Sequence, residues 1–240
     1  MDESKRTLCV DIGGTGIKTI VLDGAGKPVT ERIKIDTPRP ATPRAVLRVI
    51  GELARQQGEF DRVSVGFPGV VRRGVTETAW NLGPSWIGVD LDKALTQQLG
   101  KPVRCANDAD VQGLGVVKGK GVEIVVTLGT GFGSSLFLNG RLVPNMQLAH
   151  HAGWRRKTYE EELGLKALKK AGKKRWNKKI LKAIASLEAL FNFDALYIGG
   201  GNAKKITVEL PKRVRIVSNE AGLLGGIALW SGEENSYGVS

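Results

Sequence analysis

The sequence predicts an α/β protein built as two related domains. Two observations predict it. The strand-like run Leu8-Cys9-Val10-Asp11 and the strand-like run Ile124-Val125-Val126-Thr127 each enter a Gly-Thr-Gly turn and leave it as another strand. Helical apolar spacing fills the stretches between and after them. At 240 residues the chain suffices for one large domain or two modest ones. It buries roughly 70–75% of its unfolded surface without needing a disulfide or metal staple.

Each element follows in order. Leu8 to Asp11 reads as a buried strand running into Ile12-Gly13-Gly14-Thr15-Gly16. A dinucleotide-binding unit would begin a helix at such a turn. This chain continues as Ile17 to Leu22, a β-branched run closed by Asp23-Gly24, so a second strand and a hairpin are expected. Lys27-Pro28-Val29-Thr30-Glu31 offers a third strand. Thr42 followed by Pro43 is a helix start, and Val46, Val49, Ile50 and Leu53 fall on one face of that helix. Val63 to Gly69 is a strand entering a Pro/Gly turn. Leu91 to Leu99 is a short helix stopped by Gly100 and Pro102. Pro102 to Ala106 returns as a strand and delivers Asn107-Asp108, where a helix to about Val117 begins.

The second half repeats the opening of the first. Ile124 to Thr127 leads into Leu128-Gly129-Thr130-Gly131, then a strand, then the Asn139-Gly140 hairpin turn. Ile180, Ile184, Leu187 and Phe191 mark a long amphipathic helix. Ala195 to Ile198 is a strand ending in Gly199-Gly200-Gly201-Asn202. Asn219 to Trp230 is a closing helix capped by Ser218 or Asn219. Two such halves facing each other would set their glycine turns across one cleft.

Glycine turns with bare backbone N–H groups and a threonine hydroxyl receive phosphate oxygens, because glycine allows close approach and positive φ. Gly13, Gly14 and Thr15 form one such turn, and Thr127, Gly129, Thr130 and Gly131 a second; Gly199, Gly200 and Gly201 form a third.

Composition narrows the partners. Apolar residues are 41% and charged residues 25%, the balance of a globular chain. No apolar stretch reaches the ~20 residues that span a bilayer, and the polar start Met1 to Arg6 is no signal peptide, so a cytoplasmic protein without a membrane partner is expected. Two cysteines and the adjacent His150 and His151 make neither a disulfide scaffold nor a zinc shell. The net charge of +12 predicts an anionic partner. Between Trp154 and Lys182 twelve Lys or Arg face three Glu, so that stretch alone carries +9. Its aromatic residues, Trp154, Tyr159 and Trp176, are too sparse for a nucleic-acid stacking platform.

The motifs Asp11-Ile-Gly-Gly-Thr15, Gly66-Phe-Pro-Gly69, Asn107-Asp108-Ala-Asp110, Leu128-Gly-Thr-Gly-Phe-Gly133 and Gly199-Gly-Gly201, in this order, resemble the ROK group of sugar kinases. Val70-Val71, Thr78-Ala79 with Asn81, Ser85-Trp86-Ile-Gly-Val-Asp90 and Leu142-Val-Pro-Asn145 resemble its bacterial polyphosphate glucokinases. The resemblance covers about residues 7 to 230.

It implies the actin/hexokinase-like (ribonuclease H-like) duplicated two-domain fold with a central cleft. The small N-terminal α/β domain would span 1–116 and be completed by the C-terminal helix 219–240; a larger α/β domain would span 117–218. It implies a sugar 6-kinase acting on glucose with polyphosphate, ATP or both. Asp108 would be the general base that takes the proton of the sugar 6-hydroxyl, although Asn107 or Asp108 also suits a plain helix cap. Asn81, Asn107, Gln147, His150 and Glu161 would hold the sugar, Asp11 would hold Mg2+, and Gly199 to Gly201 would face the adenosine. Glu161 equally suits the acidic first turn of a helix. A homodimer is implied.

Departures matter. The family's Glu-x-Gly-His element reads Gln147-Leu148-Ala149-His150 here, and a glutamine makes a weaker, uncharged bond to a hydroxyl. That keeps open a kinase for another hexose or an N-acetyl hexosamine, and a non-catalytic sugar or polyanion sensor. The Cys-rich zinc motif common in the group is absent, as in the polyphosphate subgroup. No helix-turn-helix precedes Thr7, so no specific nucleic-acid partner is expected. The basic stretch suits a polyphosphate chain as well as a solvated helix face.

Overall fold

The computed structural model describes residues 4–152, 156–218 and 224–231. The chain divides into two compact units, Met1–Gly115 with Leu223–Ser240, and Val116–Gly222.

In the first unit, β1 (Thr7–Ile12) and β2 (Ile17–Leu22) pair antiparallel around the first glycine turn. Then come β3 (Ile33–Ile35), α1 (Pro43–Gln57), β4 (Arg62–Phe67), the short strands β5 (Val71–Arg72), β6 (Val75–Thr76) and β7 (Val89–Asp90), α2 (Leu91–Leu99), β8 (Val103–Asn107) and α3 (Asp108–Leu114). The main sheet runs β3-β2-β1-β4-β8, with β1, β4 and β8 parallel. Strands covered on both faces read as near-continuous apolar runs, which is why β1 was legible. Thr42 Oγ1 accepts the Ala45 N–H at 3.3 Å and Pro43 opens α1, whose Val46, Val49, Ile50 and Leu53 are all buried against the sheet.

Three expectations shift. Pro28 has no N–H to donate, so Lys27–Glu31 gives only an isolated bridge to Leu22 and the third strand forms at Ile33–Ile35. The helix after Asn107 stops at Leu114. The β5-β6-β7 sheet was not anticipated, because two-residue strands carry no readable alternation.

The second unit holds β9 (Val122–Leu128), β10 (Phe132–Leu138), β11 (Arg141–Val143), α4 (Tyr159–Leu163), α5 (Leu165–Phe191), β12 (Ala195–Gly199) and β13 (Val214–Ile216). Its sheet runs β11-β10-β9-β12-β13: a three-strand antiparallel meander followed by two parallel strands. The first unit has the same order and the same strand directions, which is the duplication the sequence predicts. Gly172, at φ 75°, breaks α5 into two helical segments. The longer one is pinned by Trp176, fully buried, whose indole N–H donates to Leu163 O at 2.9 Å. Ile180, Ile184 and Leu187 line its buried face, with Phe191 only partly covered.

Of the closing helix, Leu224–Ala228 is helical; its predicted start and Asn219 cap, like Trp154 and Arg155 of the basic stretch, lie outside the described residues. No helix among the described residues is long and apolar enough to cross a membrane.

The closing helix packs so tightly on α3 that a Cβ on Gly225 would stand 1.6 Å from Val111 O. Gly225→Ala should therefore destabilise the protein by about 1–3 kcal/mol, as overpacking does, and thermal denaturation should show it. An unchanged melting temperature contradicts this packing.

Candidate active site

Two carboxylates stand at the ends of parallel strands. Asp11 lies on β1 opposite Gly66 of β4, and Asp108 follows β8, the other neighbour of β4. A Cβ on Gly66 would come within 3.3 Å of Asp108 Cα, so the missing side chain makes room for Asp108. Asn107 is the N-cap of α3: its Oδ1 accepts from Ala109 N at 2.9 Å and Asp110 N at 3.2 Å, and its Nδ2 donates to Gly69 O at 3.0 Å. These bonds fix Asp108 as the first helical residue, with Oδ1 accepting the Ala109 N–H at 2.8 Å.

Burial, then the negative charge of Asp11, push the Asp108 carboxyl up to about 7. The N–H groups of Ala109 and Asp108 and the ammonium of Lys18 pull the other way without prevailing. Lys18 donates to Asp11 Oδ2 at 3.0 Å, and Arg32 approaches the same oxygen at 3.9 Å. Among the described residues nothing bonds to Asp11 Oδ1. Lys18 escaped the sequence reading although the hairpin register makes it the cross-strand partner of Asp11. Gly66 was read only as part of the Gly66-Phe-Pro-Gly69 motif, because a strand glycine gives no sign of what it makes room for.

The first glycine turn closes on itself through Gly13 N–H to Gly16 O at 3.0 Å. A Cβ on Gly13 would stand 2.9 Å from Gly16 O, and one on Gly14 would stand 3.2 Å from Asn81 Cβ. Asn81 and the turn carrying Gly14 and Thr15 are thus neighbours. In the second turn Gly129 N–H donates to Gly131 O at 3.1 Å, and Glu160 Oε2 accepts the Phe132 N–H at 3.3 Å. The third turn packs on the second. Gly200 has φ 86°, and a Cβ there would stand 2.5 Å from Leu128 O; Asn202 Nδ2 donates to Gly129 O at 2.8 Å. Glycine was expected in these turns for close approach and for positive φ. Only Gly200 has it; Gly13, Gly14 and Gly131 are needed for close approach, while a Cβ on Gly129 or Gly201 would face open space.

The remaining sugar-binding expectations fall in the second unit. Gln147 precedes the 3-10 turn Leu148–His150, anchored by Ser134, whose hydroxyl donates to Met146 O and accepts from Leu148 N. Gln147 and His150 are half-buried. Glu161 is the acidic cap residue of α4: its Oε2 accepts Thr158 N–H at 2.8 Å while its own N–H donates to Thr158 Oγ1. Of the three acids, Glu160 reaches the second glycine turn and Glu162 is buried against Lys179 at 2.7 Å. Spacing alone could not separate these roles.

Residues 7–164 match the model of the ROK family. A polyphosphate glucokinase of Mycobacterium tuberculosis is 33% identical over 232 residues, covering 90% of this chain and 88% of that protein. The chain belongs to the ROK family. Among solved structures, the inorganic polyphosphate/ATP-glucomannokinase from Arthrobacter sp. strain KM aligns with TM-score 0.85 at 33% identity, over 93% of this chain and 97% of that one. The ROK family glucokinase of Streptomyces griseus, in complex with glucose and AMPPNP, aligns with TM-score 0.74 at 20% identity, over 93% and 98%. The fold is the actin/hexokinase-like one of ROK sugar kinases, as the sequence predicts.

The raised Asp108 has a stability consequence. Protonated Asp108 favours the fold fully below the unfolded carboxylate value of about 4, and that contribution is lost as pH rises through about 7. Asp108→Asn removes the ionisation. In metal-free buffer its melting temperature should exceed the wild type's at pH 8, and the gap should close toward pH 4. A gap independent of pH contradicts the raised carboxyl.

Proposed function

We propose that the chain is a sugar 6-kinase that transfers a phosphoryl group from inorganic polyphosphate or ATP to glucose. The observation that carries the proposal is the Asp108 carboxyl, held at a helix start beside Asp11 and tuned to about 7, in a chain alike over nine-tenths of its length to a polyphosphate glucokinase. A base is most effective when its pKa lies near the working pH. Phosphoryl transfer otherwise needs mainly positioning and charge stabilisation.

In this reading the sugar 6-hydroxyl donates to Asp108. The proton passes to Asp108 as the sugar oxygen bonds to the terminal phosphorus, and the bond from that phosphorus to the rest of the donor breaks. Asn81 and the remaining Nδ2–H of Asn107 hold hydroxyls, with Gln147 and His150 as further sugar contacts. Glu161 stays in this set only if its cap bond opens. Backbone N–H groups of Gly14 and Thr15 and of Thr130 and Gly131, with the Thr127 hydroxyl, take phosphate oxygens, while Gly13 and Gly129, whose N–H groups close the two turns, shape them; Gly199 to Gly201 flank the adenosine when ATP is the donor.

Asp11 suits Mg2+: it offers a hard carboxylate oxygen, its side chain is 36% exposed, and Mg2+ keeps most of its waters while using one or two carboxylates. When bound, the ion neutralises charge on the donor phosphates. A cytoplasmic homodimer completes the reading, on the family resemblance.

A coupled assay crossing glucose, mannose, N-acetylglucosamine and N-acetylmannosamine with polyphosphate and ATP tests the proposal. Glucose should give the highest kcat/KM with at least one donor, and Asp108→Asn should lower it by roughly 10²–10⁴. Tight sugar binding with no transfer from either donor would favour a sensor. Undiminished turnover in Asp108→Asn would remove it as the base.

A further inference from the structure

We propose that the exposed Lys/Arg face of α5 is a second site for linear polyphosphate, one that holds the chain beyond the phosphate being transferred and so reads its length. This rests on polyphosphate being a donor.

The track begins where the donor would be held. The first N–H of α5, on Leu165, donates to Thr130 O of the second glycine turn at 3.2 Å, so the helix starts at that turn. Along it Lys166, Lys169, Lys170, Lys173, Lys174 and Arg175 are all exposed. Of the nine Lys and Arg on α5, only Lys179 forms an ion pair among the described residues, with Glu162. Beyond the break at Gly172 the segment from Lys173 to Lys182 runs about 14 Å at 1.5 Å per residue.

This arrangement repels itself. Lys166 and Lys170, and Lys174 and Lys178, set like charges one turn apart. Lys173, Lys174 and Arg175 occupy the first turn of the segment after Gly172, where the helix dipole disfavours cations. A flexible polyanion relieves both repulsions. The buried side meanwhile fixes the helix: Trp176 bonds to Leu163, and Asn177 donates to Lys205 O and accepts from Thr207 N. Trp176, the one aromatic residue among these cations, is fully buried, so the exposed face has no ring for bases to stack on. That favours inorganic polyphosphate over nucleic acid.

The test compares the wild type with the quadruple variant Lys169→Gln, Lys170→Gln, Lys173→Gln, Lys174→Gln, and with the Lys→Arg version that retains charge. Calorimetry measures binding of long-chain polyphosphate and of tripolyphosphate; kinetics give KM for each and for ATP. The Gln variant should bind long chains at least tenfold more weakly, with the slope of log Kd against log salt reduced by about 3, as losing four phosphate contacts requires. Tripolyphosphate and ATP should change less than twofold, and the Arg version should restore long-chain binding. Unchanged long-chain binding overturns the proposal. So does an equal loss for all three donors, or an oligothymidylate of matched charge binding the wild type as tightly. Because binding is read without turnover, failure of the donor reading is separate: it appears as absent transfer from polyphosphate while the binding loss in the variant remains.

Discussion

Two like-charged groups held near each other at the ends of parallel strands are the constraint from which the rest of the first unit follows. Asp11 and Asp108 flank β4, and Gly66 offers no side chain to keep them apart. Burial, and after it repulsion from Asp11, keep a proton on Asp108 to higher pH than an ordinary carboxylate holds it. The fold resists that repulsion locally. Lys18 stands across the hairpin from Asp11, and Asn107 uses its amide to cap α3 and hold the Gly69 loop, which fixes the backbone at Asp108. A carboxyl that titrates near neutrality is thereby built from burial and a neighbouring carboxylate.

The duplication gives this a counterpart. In the first sheet Asp11 pairs with Gly66 across parallel strands; at the matching place in the second, Thr127 pairs with Gly199. The same frame therefore offers an acid in one unit and a hydroxyl in the other. The second unit adds a turn on a turn, with Asn202 tying Gly129 to the Gly199–Gly201 segment. Its strand end carries the Thr127 hydroxyl where the first unit carries Asp11, Glu160 reaches its turn from α4, and the cation-rich α5 starts from it.

Much of this was legible in the sequence. Continuous apolar runs gave β1, β2, β9 and β12, and Thr42-Pro43 gave α1, because burial and capping are local. Asn107-Asp108 was legible as a strand end meeting a helix start. Tertiary partners were not: Gly66 matters through a neighbour over forty residues away, and Asn202 through a turn more than seventy residues earlier. The acids 160–162 show the limit best. One caps a helix, one is buried against Lys179 and one reaches a glycine turn, and no spacing rule distinguishes three adjacent glutamates on a short helix.

The most direct measurement of the central claim is the titration of the Asp108 carboxyl in the metal-free protein, followed by carbon-13 NMR of the wild type against Asp108→Asn. The account predicts a midpoint of about 7, well above the usual carboxylate value of about 4. A midpoint near 4 would contradict it.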